Sequence, residues 1–177
     1  ARGVVVAPRV VLVGVPGSGK TTVGQLLAER LGVGFRDTDQ DVERTEGRSV
    51  PDIFVEDGEP YFRSLERAAV ATALAEHDGV LALGGGAVLD EGTRALLVEQ
   101  PTVWLQVGAS AGAHRVGLDV PRPVLLGNVR SRMVALLNER SPLYDAVARL
   151  RVDTETRTPD DVVDAIVEGL GLEANDG

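Results

Sequence analysis

The octapeptide Gly14-Val-Pro-Gly-Ser-Gly-Lys-Thr21 constrains this chain more than any other stretch of it. It stands between a short β-branched run, Arg9 to Val13, and a stretch from Lys20 to Leu31 in which Val23, Leu26, Leu27 and Leu31 recur at helical spacing. Gly32 supplies the stop. A strand, a glycine-rich turn and a helix in that order let backbone N–H groups turn inward around an oxyanion, with the positive end of the helix behind them. Lys20 is then placed to reach the β- and γ-phosphates of a nucleotide, and the Thr21 hydroxyl to ligate Mg2+. Gly17, Ser18, Gly19, Lys20, Thr21 and Thr22 are the expected nucleotide-binding residues of this loop.

The rest of the chain is punctuated in the same manner. Short apolar runs at Val33–Arg36, Val80–Leu83, Thr102–Val107 and Arg149–Val152 read as strands. Helical stretches are expected at Asp41–Glu46, after a Ser49 cap, and at Glu59–Glu76, Thr93–Val98, Ala109–Val116, Arg130–Arg140 and Pro159–Leu170. Strands alternating with helices predict an α/β fold with a parallel sheet. At 177 residues, with no internal repeat and no linker, residues 1–177 read as one domain.

Composition removes several classes of function. The 27 acidic residues outnumber 18 cations, and the net charge of −9 repels nucleic acid and anionic membranes. No two cations are adjacent, and 3% aromatics leave little for a base-stacking platform. With no cysteine, disulfides, thiolate metal sites and thiol catalysis are excluded. The apolar run at Val4–Ala7 is too short for a signal-peptide core, and no stretch approaches the roughly 20 residues that cross a bilayer, so a cytoplasmic location is expected. The phosphate loop alone does not separate a switch, a motor and a kinase. A guanine-reading Asn-Lys-x-Asp motif cannot occur, however, because Lys20 is the only lysine, and larger motors need more chain. A small-molecule kinase is the economical reading.

Candidate acceptor residues follow the later strands. Asp37 and Asp39 stand at the carboxyl end of the second strand, the edge where open parallel sheets bind ligands. Two residues apart on an extended chain, they are expected to project to the same side. One can hold Mg2+ through water while the other accepts a hydrogen bond or a proton from an attacking hydroxyl. Gly84, Gly85 and Gly86 allow close approach of a ligand to the backbone. Arg63 lies three residues before Glu66 on one helical face. His77 is expected to be solvated at a helix end, and His114 to be exposed.

These features in this order resemble the shikimate kinases, P-loop enzymes that phosphorylate the 3-hydroxyl of shikimate in aromatic amino-acid biosynthesis. The resemblance runs over residues 9–170. It rests on Gly14–Thr21, Asp37-Thr38-Asp39, Asp57-Gly58-Glu59 with Phe62-Arg63 and Glu66, Leu83–Gly86, Arg122-Pro123, and Glu139-Arg140-Ser141-Pro142-Leu143-Tyr144. It implies a three-layer α/β/α P-loop kinase fold with a five-stranded parallel sheet. It further implies a substrate-binding helical segment at 40–76, a mobile lid at 113–126, and a monomer. ATP would be the co-substrate and shikimate the acceptor, with one Mg2+ ion per subunit held by Thr21 and Asp37. Asp39, Arg63, Gly84, Gly85, Gly86 and Arg140 would bind shikimate, with Glu66 orienting Arg63. Arg115 and Arg157 would flank the adenine. Lys20, Asp39 and Arg122 would be catalytic, Arg122 closing from the lid over the phosphate. A gluconate-type kinase of the same fold and a nucleotide-binding regulator without turnover are the competing readings. A hydroxylated carboxylic acid suits Asp39, Arg63 and Arg140 together better than a second phosphate ester would, since Asp39 would repel a phosphate.

Overall fold

The computed structural model describes residues 6–117 and 126–172. Strand β1 (Val10–Val13) is buried on both faces and pairs in parallel with β3 (Val80–Ala82) and β4 (Thr102–Gln106). β2 (Phe35–Asp37) and β5 (Leu150–Asp153) complete a five-stranded parallel sheet of order β2-β3-β1-β4-β5. The alternation of side chains along β1 splits the core in two. Val10 and Leu12 pack with α1 (Lys20–Leu31) and α8 (Pro159–Leu170) on one face of the sheet. Val11 and Val13 pack on the other face with α4 (Glu59–Glu76), α5 (Glu91–Val98), α6 (Ala109–Gly117) and α7 (Leu126–Val147). This is the expected three-layer arrangement. All strands run the same way, so their carboxyl ends share one edge, where the loops after β1, β2 and β3 meet.

Beside this core, α2 (Thr38–Glu46) and α3 (Val50–Asp57) lean on α4 around a small cluster of Val42, Ile53 and Phe62. Arg48 ties the α2–α3 connection together through Glu46, Glu56 and Asp57.

Three expectations need correction. β2 ends on Asp37 and α2 begins at Thr38, so Asp37 and Asp39 do not lie on one extended strand. Asp37 instead caps α2, its Oδ1 accepting from the N–H groups of Asp39 at 2.8 Å and Gln40 at 3.4 Å. Helix α7 extends well past Arg140, through Pro142 to Val147. A proline there removes a backbone hydrogen bond, but Tyr144 and Val147 beyond it are buried in the core, and that burial holds the helix on course. His77 is not merely solvated: its Nε2 lies 3.2 Å from Gly34 O and 3.0 Å from Val80 O, tying the end of α4 to the sheet edge. His114 is exposed, as expected. Arg122 and most of the 113–126 lid segment lie outside the described residues.

Candidate active site

The loop from Gly14 to Gly19 leaves β1 and delivers the chain to α1 with positive φ at Gly17 and Gly19, +84° and +94°. At Gly17 a side chain would also meet Gly112 O at 2.7 Å. The N-terminus of α1 has neither a side-chain cap nor an acidic residue in its first turn. Its free N–H groups and dipole therefore face the loop, an arrangement that suits an anion. Lys20 folds back over the same loop and donates from Nζ to Gly14 O at 2.6 Å and Val15 O at 3.1 Å. Burial lowers its pKa to about 8, against the opposing pull of Asp39 and Asp37.

A cavity of about 400 Å³ extends from Gly17, Lys20 and Thr21 across to Asp37, Asp39 and Gly84. Asp39 stands in the first turn of α2, and its Oδ1 is buried with no hydrogen-bond partner among the described residues. Burial, and then the neighbouring Asp37 and Glu66, raise its pKa to about 6, while Lys20 acts in the opposite direction.

The glycine run after β3 explains how the remaining groups converge. A Cβ on Gly84 would lie 2.4 Å from Asp39 Oδ1, and one on Gly86 would lie 2.2 Å from Arg63 Nη1. A Cβ on Gly85 would touch Arg140 Nη1 at 3.3 Å and Pro16 Cδ at 3.1 Å. Three helices, α2, α7 and α4, thus each bring one charged group against consecutive glycines. Gly84 N is itself anchored to the buried Thr38 Oγ1 at 3.3 Å. Arg63 is held by Glu66 at 2.8 Å and Glu59 at 3.3 Å. Glu66 is buried, which raises its pKa, and Arg63 counters that rise. Arg140 Nε is buried without a hydrogen-bond partner among the described residues; Glu139 Oε1, at 3.7 Å, is beyond hydrogen-bond reach. The Arg140 Nε and the Asp39 Oδ1 that lack hydrogen-bond partners leave a donor and an acceptor for a ligand that carries both a carboxylate and hydroxyl groups.

On the other side of the loop, a cavity of about 310 Å³ is lined by Ser18, Thr22, Arg115, Thr154 and Arg157, among others. Arg115 donates to Gly17 O, Thr154 Oγ1 and Thr154 O, each at 3.1 Å. Arg157 donates to Asp153 O at 3.3 Å. These two cavities take in the loop residues, Asp37, Asp39, Gly84, Gly85, Arg115 and Arg157, whereas Arg63 and Gly86 line a separate cavity of about 250 Å³ and Arg140 meets the site through Gly85. Thr38 and Thr154 were not singled out. Thr38 could have been found as the middle of the Asp37-Thr38-Asp39 triplet, whereas nothing local marks Thr154. Among the described residues no helix is long and apolar enough to cross a membrane, and no cluster of three or more His, Asp or Glu could hold a metal.

A phosphate loop on the central strand of a parallel sheet, with a carboxylate across the cavity from its lysine and two arginines against the adjoining glycine run, defines the class: a P-loop kinase for a small acceptor. The comparisons make this narrower. A family model described as shikimate kinase matches residues 16–171. A shikimate kinase of Saccharopolyspora erythraea is 60% identical over 92% of this chain and 93% of its own. The solved structure of an Acinetobacter baumannii shikimate kinase in complex with shikimate superposes with a TM-score of 0.84 at 34% identity, covering 92% of each chain. A gluconokinase from Sinorhizobium meliloti, at 21% identity and a TM-score of 0.59, shares the fold over 96% of this chain and 94% of its own. The chain belongs to the shikimate kinase family.

Proposed function

We propose that this protein transfers the γ-phosphoryl group of ATP to the 3-hydroxyl of shikimate, giving shikimate 3-phosphate and ADP. The observation that carries this reading is the alignment of Asp39, Arg140 and Arg63 along Gly84–Gly86, beside the cavity that holds Lys20. Arg63 and Arg140 bind the acceptor carboxylate, and Glu66 holds Arg63 in place. The unpartnered Asp39 Oδ1 accepts from a ring hydroxyl. With its pKa raised to about 6, Asp39 is ionised at neutral pH and more basic than an ordinary carboxylate. It can therefore hold the hydroxyl in line and take its proton as the oxygen attacks.

Lys20 is freed from Gly14 O and Val15 O when phosphate oxygens replace those carbonyls, and it then follows the transferring group as a point charge. Arg115 and Arg157 frame the cavity that takes the adenine. Mg2+ fits this donor set: the hydrogen bonds of Asp37 use Oδ1 and leave Oδ2 available, and Thr21 lines the same cavity. With few protein ligands, the ion would be held largely by the nucleotide itself. When bound, it neutralises charge on the phosphate oxygens. Most of the rate enhancement then comes from positioning and electrostatics. In the same reading Arg122 closes over the phosphate, residues 40–76 form the acceptor-binding segment, and the enzyme works as a cytoplasmic monomer.

A coupled assay of ADP release with shikimate, gluconate or no acceptor tests the proposal. Turnover is expected with shikimate alone. Equal turnover without acceptor, or none at all, would refute the kinase reading, and preference for gluconate would refute the substrate.

A further inference from the structure

Tyr144 has no part in the mechanism above, yet among the described residues it is the largest fully buried side chain, and it carries a polar group. Its ring packs on Trp104 with centroids 5.8 Å apart, and its hydroxyl donates to Gly85 O. Burial raises the phenol to about 12, so the hydroxyl remains a proton donor at every pH at which the enzyme would work. The three glycine carbonyls are held in different ways. Ala87 N donates to Gly84 O at 3.1 Å and Leu89 N to Gly86 O at 3.0 Å, both from the short turn that follows. Gly85 O is held instead by Tyr144, a side chain from α7. A trans peptide points its N–H opposite to its C=O, and no cis peptide occurs among the described residues. Fixing Gly85 O toward α7 therefore also fixes the Gly86 N–H on the far side of the loop. Glycine offers no steric preference of its own against a flip of that peptide.

Tyr144 is also one helical turn after Arg140, so the two share a face of α7. Pro142 lies between them and supplies no N–H to the helix, which weakens the turn that carries Arg140. The hydroxyl bond joins this weakened turn to the glycine run it must face. We infer that Tyr144 is a positioning residue for acceptor binding: its hydroxyl sets the Gly85–Gly86 peptide and the distance between Arg140 and that loop. The inference deepens the proposed reaction and rests on it only for the identity of the acceptor.

Tyr144→Phe keeps the ring and removes the hydroxyl. Its KM for shikimate should rise about tenfold while its KM for ATP stays within about twofold, the loss of one buried hydrogen bond acting on one substrate. Without any substrate, the Ala87 and Leu89 amides, which donate to the neighbouring glycine carbonyls, should exchange with solvent faster in the variant than in the wild type. An unchanged shikimate KM would overturn the inference, as would equal rises for both substrates, which would mark a general packing role. Unchanged amide exchange would overturn it too.

If the variant does not fold, wild-type protein labelled at the tyrosine ring carbon bonded to oxygen gives the answer. Only Tyr61 and Tyr144 contribute signals, and Tyr61→Phe assigns them. Shikimate should move the Tyr144 signal, and a stationary signal would overturn the inference. A wild-type enzyme that does not turn over shikimate would refute the proposed reaction instead. The substrate-free exchange comparison would still decide the role of Tyr144.

Discussion

Substituting Asp39→Asn removes a carboxylate whose Oδ1 is buried without a partner among the described residues and whose pKa is raised from 3.8 to about 6. Because the folded value lies above the unfolded one, the folded chain holds this proton more tightly. The resulting stabilisation is complete at low pH and is lost as pH rises from about 4 through about 6. Above that range the ionised carboxylate opposes folding. A gap of about two in pKa, each worth about 1.4 kcal/mol, sets that cost near 3 kcal/mol. Asparagine never ionises and escapes the cost, although Lys20 then loses an attractive neighbour. A net gain of about 2 kcal/mol should remain, or about 4–8 °C in Tm for a chain of this size. Thermal or urea unfolding of both proteins at pH 7.5 and pH 4.5 measures it. The variant should be the more stable at pH 7.5, with the difference shrinking at pH 4.5, while turnover falls about 100- to 10,000-fold. A difference independent of pH, or a wild type that is more stable at pH 7.5, would refute the reasoning.

Three further outcomes are expected. The profile of kcat/KM for shikimate against pH should rise near 6, as Asp39 ionises, and fall near 8, as free Lys20 loses its proton; a flat profile from 5.5 to 8.5 would contradict both assignments. Arg63→Ala should raise the KM for shikimate about 100-fold and leave ATP affinity nearly intact, and equal losses in both would make Arg63 structural. Gly86→Ala places a methyl group 2.2 Å from Arg63 Nη1, the mobile end of a long side chain, at an ordinary backbone conformation. Its Tm should therefore change little while its shikimate KM rises about tenfold or more, and calorimetry with kinetics would separate the two effects.

What the sequence could show depended on distance along the chain. The phosphate loop was legible because every part of it lies within eight residues of strand–turn–helix signal. The Asp37–Asp39 pair was found, but its conformation was not. Aspartate is equally at home at a strand end and at a helix cap, and only the backbone shows that Asp37 caps a helix containing Asp39. The helix expected at Arg130–Arg140 runs on to Val147 because the burial of Tyr144 and Val147, which carries it past Pro142, is a long-range fact that local pattern does not show. The glycine run was visible as three glycines. That each abuts a group from a different helix was not, since those groups stand at positions 39, 63 and 140.

That glycine run also bears on how such an enzyme can change. Active-site walls usually evolve by exchanging one side chain for another, yet this wall has no side chains to exchange. Any residue added at Gly84 or Gly86 displaces Asp39 or Arg63 before it meets a new ligand. A redesign for a different acceptor would therefore have to begin on the helices that bear those groups, with the loop kept as a fixed template.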